Sequence, residues 1–419
     1  MNAGLAYTVK HIQKGLFDTE QAVSRRRTGG IRILELENIV FPALRIQEAG
    51  IRRFSLFHGW KLKCVHLVPG VCDDDINRIV EEFRPDGIIA SLDRPLPRKL
   101  AEKIPMVCFD CAPSFVPDGT PHIVHDAKVT AHIAVRELSK MGLRVYAFMR
   151  AAGEWYWSEE REAAFVDEVR SRGGRLETSF RASSAADAAH GIGGGKAFER
   201  ELRRWVEGLE KPCGVFAAND ALAAILLKVC RESGVDVPKD IAVVGVDNNP
   251  QFCLKSRPHL TSVVPDWEMG AFMAAETLDM VMRGATVPRR REFRPIGIAS
   301  RESTKPSRQR VDFRVDLAVD LIRRKACNGL RAADVAYKMG CSRRLAEMRF
   351  RDVTGASIQE ASRDVRLQNA RSMLERTALP IAVVARHCGW KSVPTFCRDF
   401  HSATDVSPTE CRKKFCAKR

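Results

Sequence analysis

A chain of 419 residues with 45% apolar content predicts two or three domains with ordinary buried cores, and no run approaches the roughly eighteen uninterrupted apolar residues of a membrane span. The 68 Lys and Arg against 52 Asp and Glu leave a formal charge of +16, which favours an acidic partner. Thirteen scattered cysteines argue for reduced thiols, and Met1 to Lys14 lacks the parts of a signal peptide, so the expected location is cytoplasmic, with no membrane segment.

Residues 1–30 read as a lead-in ending in Arg25-Arg26-Arg27-Thr28-Gly29-Gly30, with no role assigned. From residue 31 the chain alternates. Short apolar runs at 31–36, 63–68, 87–90 and 107–109 are separated by amphipathic segments such as 74–83. A second series has strands at 145–149, 176–180, 215–218 and 241–246, and helices at 160–172, 197–209 and 221–233. This patterning predicts α/β structure with parallel sheets, and two such series predict two lobes.

Two motifs invite chemistry and do not sustain it. Cys108 and Cys111, followed by His122 and His125, have gaps shorter than those of a zinc finger, and the cysteine pair closes a strand without opening a helix. In Gly191 to Lys196 the first position of a phosphate loop is His190 and the metal-binding hydroxyl is replaced by Ala197, so a surface loop is expected. No catalytic constellation, metal site or cofactor site is expected, and the chain is not read as an enzyme.

The last hundred residues contain a repeat. Val335-Ala336, Gly340, Ser342 and Phe350 recur as Val384-Ala385, Gly389, Ser392 and Phe400. In each copy an apolar helical pair precedes a glycine, which can take the left-handed backbone of a tight turn, and a serine, a good N-cap. Each copy predicts a helix-turn-helix, and the apolar spacing of 358–374 predicts one connecting helix. Residues 311–419 hold 22 Lys/Arg against 12 Asp/Glu, so about +10 of the charge lies in a quarter of the chain, a nucleic-acid footprint. Serine N-caps place Arg343, Arg344, Glu347 and Met348 on the exposed side of one recognition helix, and Val393, Pro394, Cys397 and Arg398 on that of the other. Arg344 suits bidentate contact with guanine, whereas Lys413 and its neighbours Arg412 and Lys414 suit phosphate.

The run Val335-Ala336, Gly340-Cys341-Ser342, Arg349-Phe350, Thr354-Gly355-Ala356-Ser357, Arg366-Leu367, Ala370-Arg371, Leu374, Ile381, Val384-Ala385, Gly389-Trp390-Lys391-Ser392, Phe396, Arg398-Asp399-Phe400 and Ser407-Pro408 resembles the AraC/XylS DNA-binding domain. The stretch 31–302 resembles the LacI/GalR and periplasmic sugar-binding fold. That likeness rests on His125-Asp126, Glu160 to Phe165, Ala218-Asn219-Asp220-Ala221, Val243 to Asn248 and Leu260 to Val263. A sensor placed before an AraC-type reader is the arrangement of bacterial xylose operon regulators.

The resulting expectation is a two-lobed periplasmic-binding-protein-like sensor over 31–302, a linker over 303–314 and an all-α double helix-turn-helix domain over 315–419. Polar residues just after strands are the ligand candidates in such a fold. Arg161, Asp220 and Asp247 lead, followed by Asn219 and Trp155, then Asn38, Trp267 and Asp126. Asp220 is equally natural as a helix cap, and the tryptophans as core. The resemblance implies a homodimer that binds promoter DNA and a monosaccharide, xylose or another pentose, and activates catabolic genes, with RNA polymerase as a further partner. A repressor answering another small molecule, a sugar-transport component and an α/β enzyme are the alternatives.

Overall fold

The computed structural model describes residues 30–38, 44–67, 71–153, 155–181, 195–305, 313–377 and 379–416. The lead-in, the glycine run 191–194 and linker residues 306–312 lie outside the described residues.

The first unit, 1–124 with 267–292, is built on a six-stranded sheet. Its elements in chain order are β1 (Arg32–Asn38), α1 (Leu44–His58), β2 (Lys61–Leu67), α2 (Asp73–Phe83), β3 (Gly87–Ser91), α3 (Arg98–Lys103), β4 (Met106–Phe109) and β5 (His122–His125). The apolar run of β1 is buried on both faces at Ile33, Leu34 and Leu36, as parallel pairing with β2 and β3 requires. Helix α2 opens on Asp73, Asp74 and Asp75, acids suited to the positive helix start, and Asp75 accepts from the Cys72 N–H.

The second unit, 125–266 with 293–419, continues with α4 (Ala127–Ser139), β6 (Val145–Met149), α5 (Tyr156–Ser171), β7 (Arg175–Phe180), α6 (Gly195–Gly208), β8 (Cys213–Ala217), α7 (Asp220–Glu232), β9 (Ile241–Val246), α8 (Pro250–Cys253) and β10 (Thr261–Val264). The chain then returns to the first unit for α9 (Trp267–Met282) before β11 (Arg290–Phe293) and β12 (Gly297–Ala299). Gly50 of α1 lies so close to α9 that a Cβ there would stand 2.1 Å from the Glu268 carbonyl, so only glycine permits this packing. The strand orders are β11-β5-β4-β3-β1-β2 and β12-β10-β9-β8-β6-β7. In the second sheet β12 pairs antiparallel with β10, while the pairs β6–β7, β6–β8, β8–β9 and β9–β10 are parallel.

The helical end comprises α10 (Phe313–Lys325), α11 (Ala332–Lys338), α12 (Arg343–Thr354), α13 (Ile358–Arg376), α14 (Ile381–His387), α15 (Val393–Thr404) and α16 (Pro408–Cys416). Val315, Ala318 and Ile322 of α10 join Val335, Ala336, Phe350 and Ile358 in one core.

The expected linker begins later than residue 303. Ser303 and Thr304 are buried in a single helical turn, where Ser303 Oγ donates to the Val243 carbonyl at 2.6 Å and Thr304 pairs with Thr261 at 2.8 Å. Buried hydroxyls need such partners, so these two residues belong to the sensor.

Candidate effector site and DNA interface

Six of the eight ligand candidates, Asp126, Trp155, Arg161, Asn219, Asp220 and Asp247, fall in the second unit; Asn38 and Trp267 fall in the first. Asn38 is the last residue of β1, and Trp267, which opens α9, meets Phe109 edge-on at 6.4 Å.

Within the second unit Trp155 and Arg161 follow β6, Asn219 and Asp220 follow β8 and Asp247 follows β9, adjacent strands at whose carboxyl ends ligands of open α/β sheets bind, while Asp126 follows β5. Arg161 is 5% exposed; its Nη1 donates to the Ala218 carbonyl at 2.6 Å and its guanidinium lies 5.2 Å from the Trp157 ring. Both contacts fix its orientation. Trp155 donates from Nε1 to the Ala152 carbonyl at 2.9 Å and tilts against Trp157. Asn219 caps α7 by accepting from the Leu222 N–H at 2.9 Å. Asp126 caps α4 through the Val129 N–H at 2.9 Å and meets Arg294 at 3.3 Å.

Asp220 is placed differently from the expected free hydrogen-bond acceptor. Only 1% exposed, it accepts from Ser262 Oγ at 2.6 Å, the Asn249 N–H at 2.7 Å and Cys253 Sγ at 3.2 Å. Gly245 makes the room: a Cβ there would lie 2.3 Å from Asp220 Oδ1. Burial, and then the charge of Asp247, push the Asp220 carboxyl up to about 7. Asp220 thus anchors the loop that carries Asp247, which has φ 105°, a backbone that side chains rarely adopt.

Two buried polar residues at strand ends were not among the ligand candidates. Arg150, directly after β6, is 8% exposed and pairs with Glu162 at 3.2 Å and with Glu159. His125 ends β5, fully buried; Thr130 Oγ1 is 3.1 Å from its Nε2, and burial with the charge of Arg161 holds it well below the usual imidazole range. Arg150 could have been found by the rule already applied to Asp247, a polar residue just after an apolar strand.

In the helical domain the turns are built as the repeat predicts. Gly340 and Gly389 have φ 63° and 84°, Ser342 accepts from the Leu345 N–H at 3.4 Å, and Ser392 accepts from the Thr395 N–H at 3.3 Å. Arg343, Arg344, Met348, Pro394 and Arg398 are exposed, while Val393 and Cys397 are half-buried. Glu347 departs from its expected open position: its carboxylate accepts from the Ile358 N–H at 3.2 Å and so caps the connecting helix α13. Arg412 also turns inward, donating to the Leu379 carbonyl, whereas Lys413 and Lys414 are exposed. Arg366 of α13, quoted for the resemblance, has a mechanical part. It donates to the Cys388 and Gly389 carbonyls, each at 2.8 Å, and covers Trp390 at 4.1 Å, clamping the second turn to the connector.

Comparison with known proteins agrees with this geometry. A periplasmic binding protein-like domain matches residues 135–304 and a helix-turn-helix domain matches residues 335–414. The xylose operon regulatory protein of Escherichia coli is 28% identical over 343 residues, covering 80% of this chain and 85% of that protein. That of Haemophilus influenzae is 27% identical over 345 residues, covering 80% and 86%. The solved structure of the xylose-binding transcription activator xylR superposes with a TM-score of 0.55 at 26% identity, covering 92% of this chain and 98% of that one. The operator-bound lac repressor dimer, at 17% identity and a TM-score of 0.53 over 68% of this chain and 97% of that one, shares the sensor fold. Among the described residues no helix is long and apolar enough to cross a membrane. The chain is therefore a DNA-binding transcription regulator that joins a periplasmic-binding-protein-like sensor to a C-terminal AraC-type helix-turn-helix domain.

Proposed function

We propose that this regulator senses xylose or another pentose and, as a cytoplasmic homodimer, activates genes of pentose catabolism from promoter DNA, with RNA polymerase as its downstream partner. The observation that carries the reading is co-linearity: the likeness to xylose operon regulators runs through sensor and reader in the same order over four fifths of the chain.

Arg161 and Asp247 are the proposed direct sugar contacts, with a donor and an acceptor at neighbouring strand ends, and Trp155 offers a flat face to the sugar's C–H surface. Asn219 and Asp126, already caps, hold their helices at the site, and Asp220 holds the Asp247 loop. Asn38 and Trp267 are further proposed sugar contacts, carried by the resemblance alone. For the reader, Ser342, Arg343, Arg344, Met348, Ser392, Val393, Pro394, Cys397 and Arg398 are the proposed groove-facing set, Lys413 a phosphate contact and Glu347 a support.

A melting-temperature screen against pentoses and hexoses tests the sensor. Ligand at about 100 times its Kd stabilises the folded state by about 2.7 kcal/mol, a rise of several degrees for a lobe of this size. A shift with xylose is the expected result. A shift with an unrelated small molecule, and none with any pentose, would replace the effector named here.

A further inference from the structure

The loop that carries Asp247 also touches the reader domain. Asn248, next in the chain, is 5% exposed with φ 49°, a left-handed backbone that asparagine tolerates better than most residues. Its N–H donates to Ser262 Oγ at 2.9 Å, and that hydroxyl donates to Asp220. Its side chain points the other way. Oδ1 accepts from Arg301 Nη2 at 2.6 Å, and Nδ2 donates to Asp320 Oδ1 of α10 at 3.3 Å.

Arg301 extends the same seam. Only 3% exposed, it donates from Nη1 to the Leu260 carbonyl at 2.8 Å, and its Nε faces Asp316 Oδ2 at 3.6 Å. Asp316 and Asp320 stand one turn apart, so one stripe of α10 meets Asn248 and Arg301 together. Between them Leu317 packs against the core of the sensor lobe, while Val315, Ala318 and Ile322 belong to the core of the reader. Helix α10 is therefore a member of both cores. Separating a buried guanidinium from its carboxylate leaves an uncompensated charge, so such a seam resists partial opening.

We propose that Asn248 is a positioning residue that relays effector binding at Asp247 to the reader by setting how α10 docks on the sensor, a relay that rests on the sugar reading above. The side chain that holds Asp320 belongs to the residue next to the proposed sugar contact. A change in the Asp247–Asn248 turn therefore alters the seat of α10 directly, without passing through the linker.

The test uses the full-length protein, D-xylose as probe and an operator fragment selected with the wild type. Xylose affinity is measured with and without saturating operator; their ratio is the coupling factor, typically about 5 to 150 in such systems. Asp316→Asn together with Asp320→Asn lies outside the sugar site. It should leave xylose affinity without DNA within about twofold of wild type and bring the coupling factor below about twofold. Asn248→Gly keeps the left-handed backbone and the N–H donor to Ser262 while removing both side-chain bonds, and it should reduce the coupling factor at least threefold. Hydrogen exchange gives a second readout: amides of 313–325 should slow or quicken with xylose in the wild type and be indifferent to it in the double variant. A double variant with the wild-type coupling factor overturns the relay. So does a wild type that binds both ligands without coupling. A wild type whose melting temperature xylose does not move overturns the sugar reading, and the relay with it; that result is visible before any variant is made.

Discussion

Replacing Asp247 by asparagine isolates the electrostatics of the effector site. Asparagine is isosteric and tolerates positive φ, so the turn at φ 105° should survive. Asp220, 1% exposed, has its carboxyl raised from 3.8 to about 7, by burial first and by Asp247 second. A raised folded-state value means that the folded protein holds a proton the unfolded chain has released. The associated stability is fully present below 3.8 and is lost as the pH climbs through 7. With about 1.4 kcal/mol per unit for one proton, the wild-type sensor should lose about 2 kcal/mol from this group between about pH 5 and 7, on the order of 4–8 °C in melting temperature. Removing the Asp247 charge removes part of the cause, so the variant's loss over that range should shrink by roughly 1 kcal/mol, a few degrees. Thermal melts in matched buffers measure both slopes, and every titrating group except Asp247 itself is common to the two proteins. Calorimetry should also show xylose binding about fivefold weaker, the difference between a charged and a neutral acceptor. Parallel pH profiles for the two proteins would refute the coupling of Asp220 to Asp247, and an unchanged xylose affinity would remove Asp247 from the site.

Glu37, 1% exposed on β1, is pushed up to about 9 by burial and then by Glu35, so its contribution to stability likewise falls as the pH rises above 4.5; Glu37→Gln should flatten the decline in melting temperature between about pH 5 and 8 and raise it at pH 8. Arg344→Ala should weaken operator binding by about 1–3 kcal/mol and relax preference at one base pair in a binding-site selection. Lys413→Ala should instead weaken all sequences alike and lower the salt slope by about one.

The sheets were legible because apolar runs bounded by polar segments leave little freedom. The strands at 145–149 and 241–246 fall where the pattern puts them, and most others within two residues. Helix α5 begins at Tyr156, four residues earlier than the pattern suggests, because its first turn is aromatic and Trp155 at its N-cap makes no side-chain capping bond. Without a Ser, Asp or Asn there is no local signal for a helix start. The helix-turn-helix pairs were legible for the opposite reason: glycine, serine and phenylalanine each have one position in the turn where they fit, and the repeat shows the set twice.

What the sequence withheld is the use to which polar groups are put. Asp220, Glu347 and Arg412 stand at positions where a ligand or DNA contact was expected, yet each spends its hydrogen-bonding capacity on the protein's own backbone, with Ser262 Oγ and Cys253 Sγ adding to the set at Asp220. Residue type and spacing establish that a donor or acceptor is available; only tertiary neighbours decide whether it is consumed. The seam at Asn248 is the extreme case, since its partners Arg301 and Asp320 lie 53 and 72 positions away and neither partner belongs to a motif. Yet this seam brings the effector loop and the reader within one side chain of each other. If regulation runs through it, the residues that matter most for coupling are neither sugar contacts nor base contacts. Substitutions at Asp316 and Asp320 should then separate sensing from response while leaving each intact.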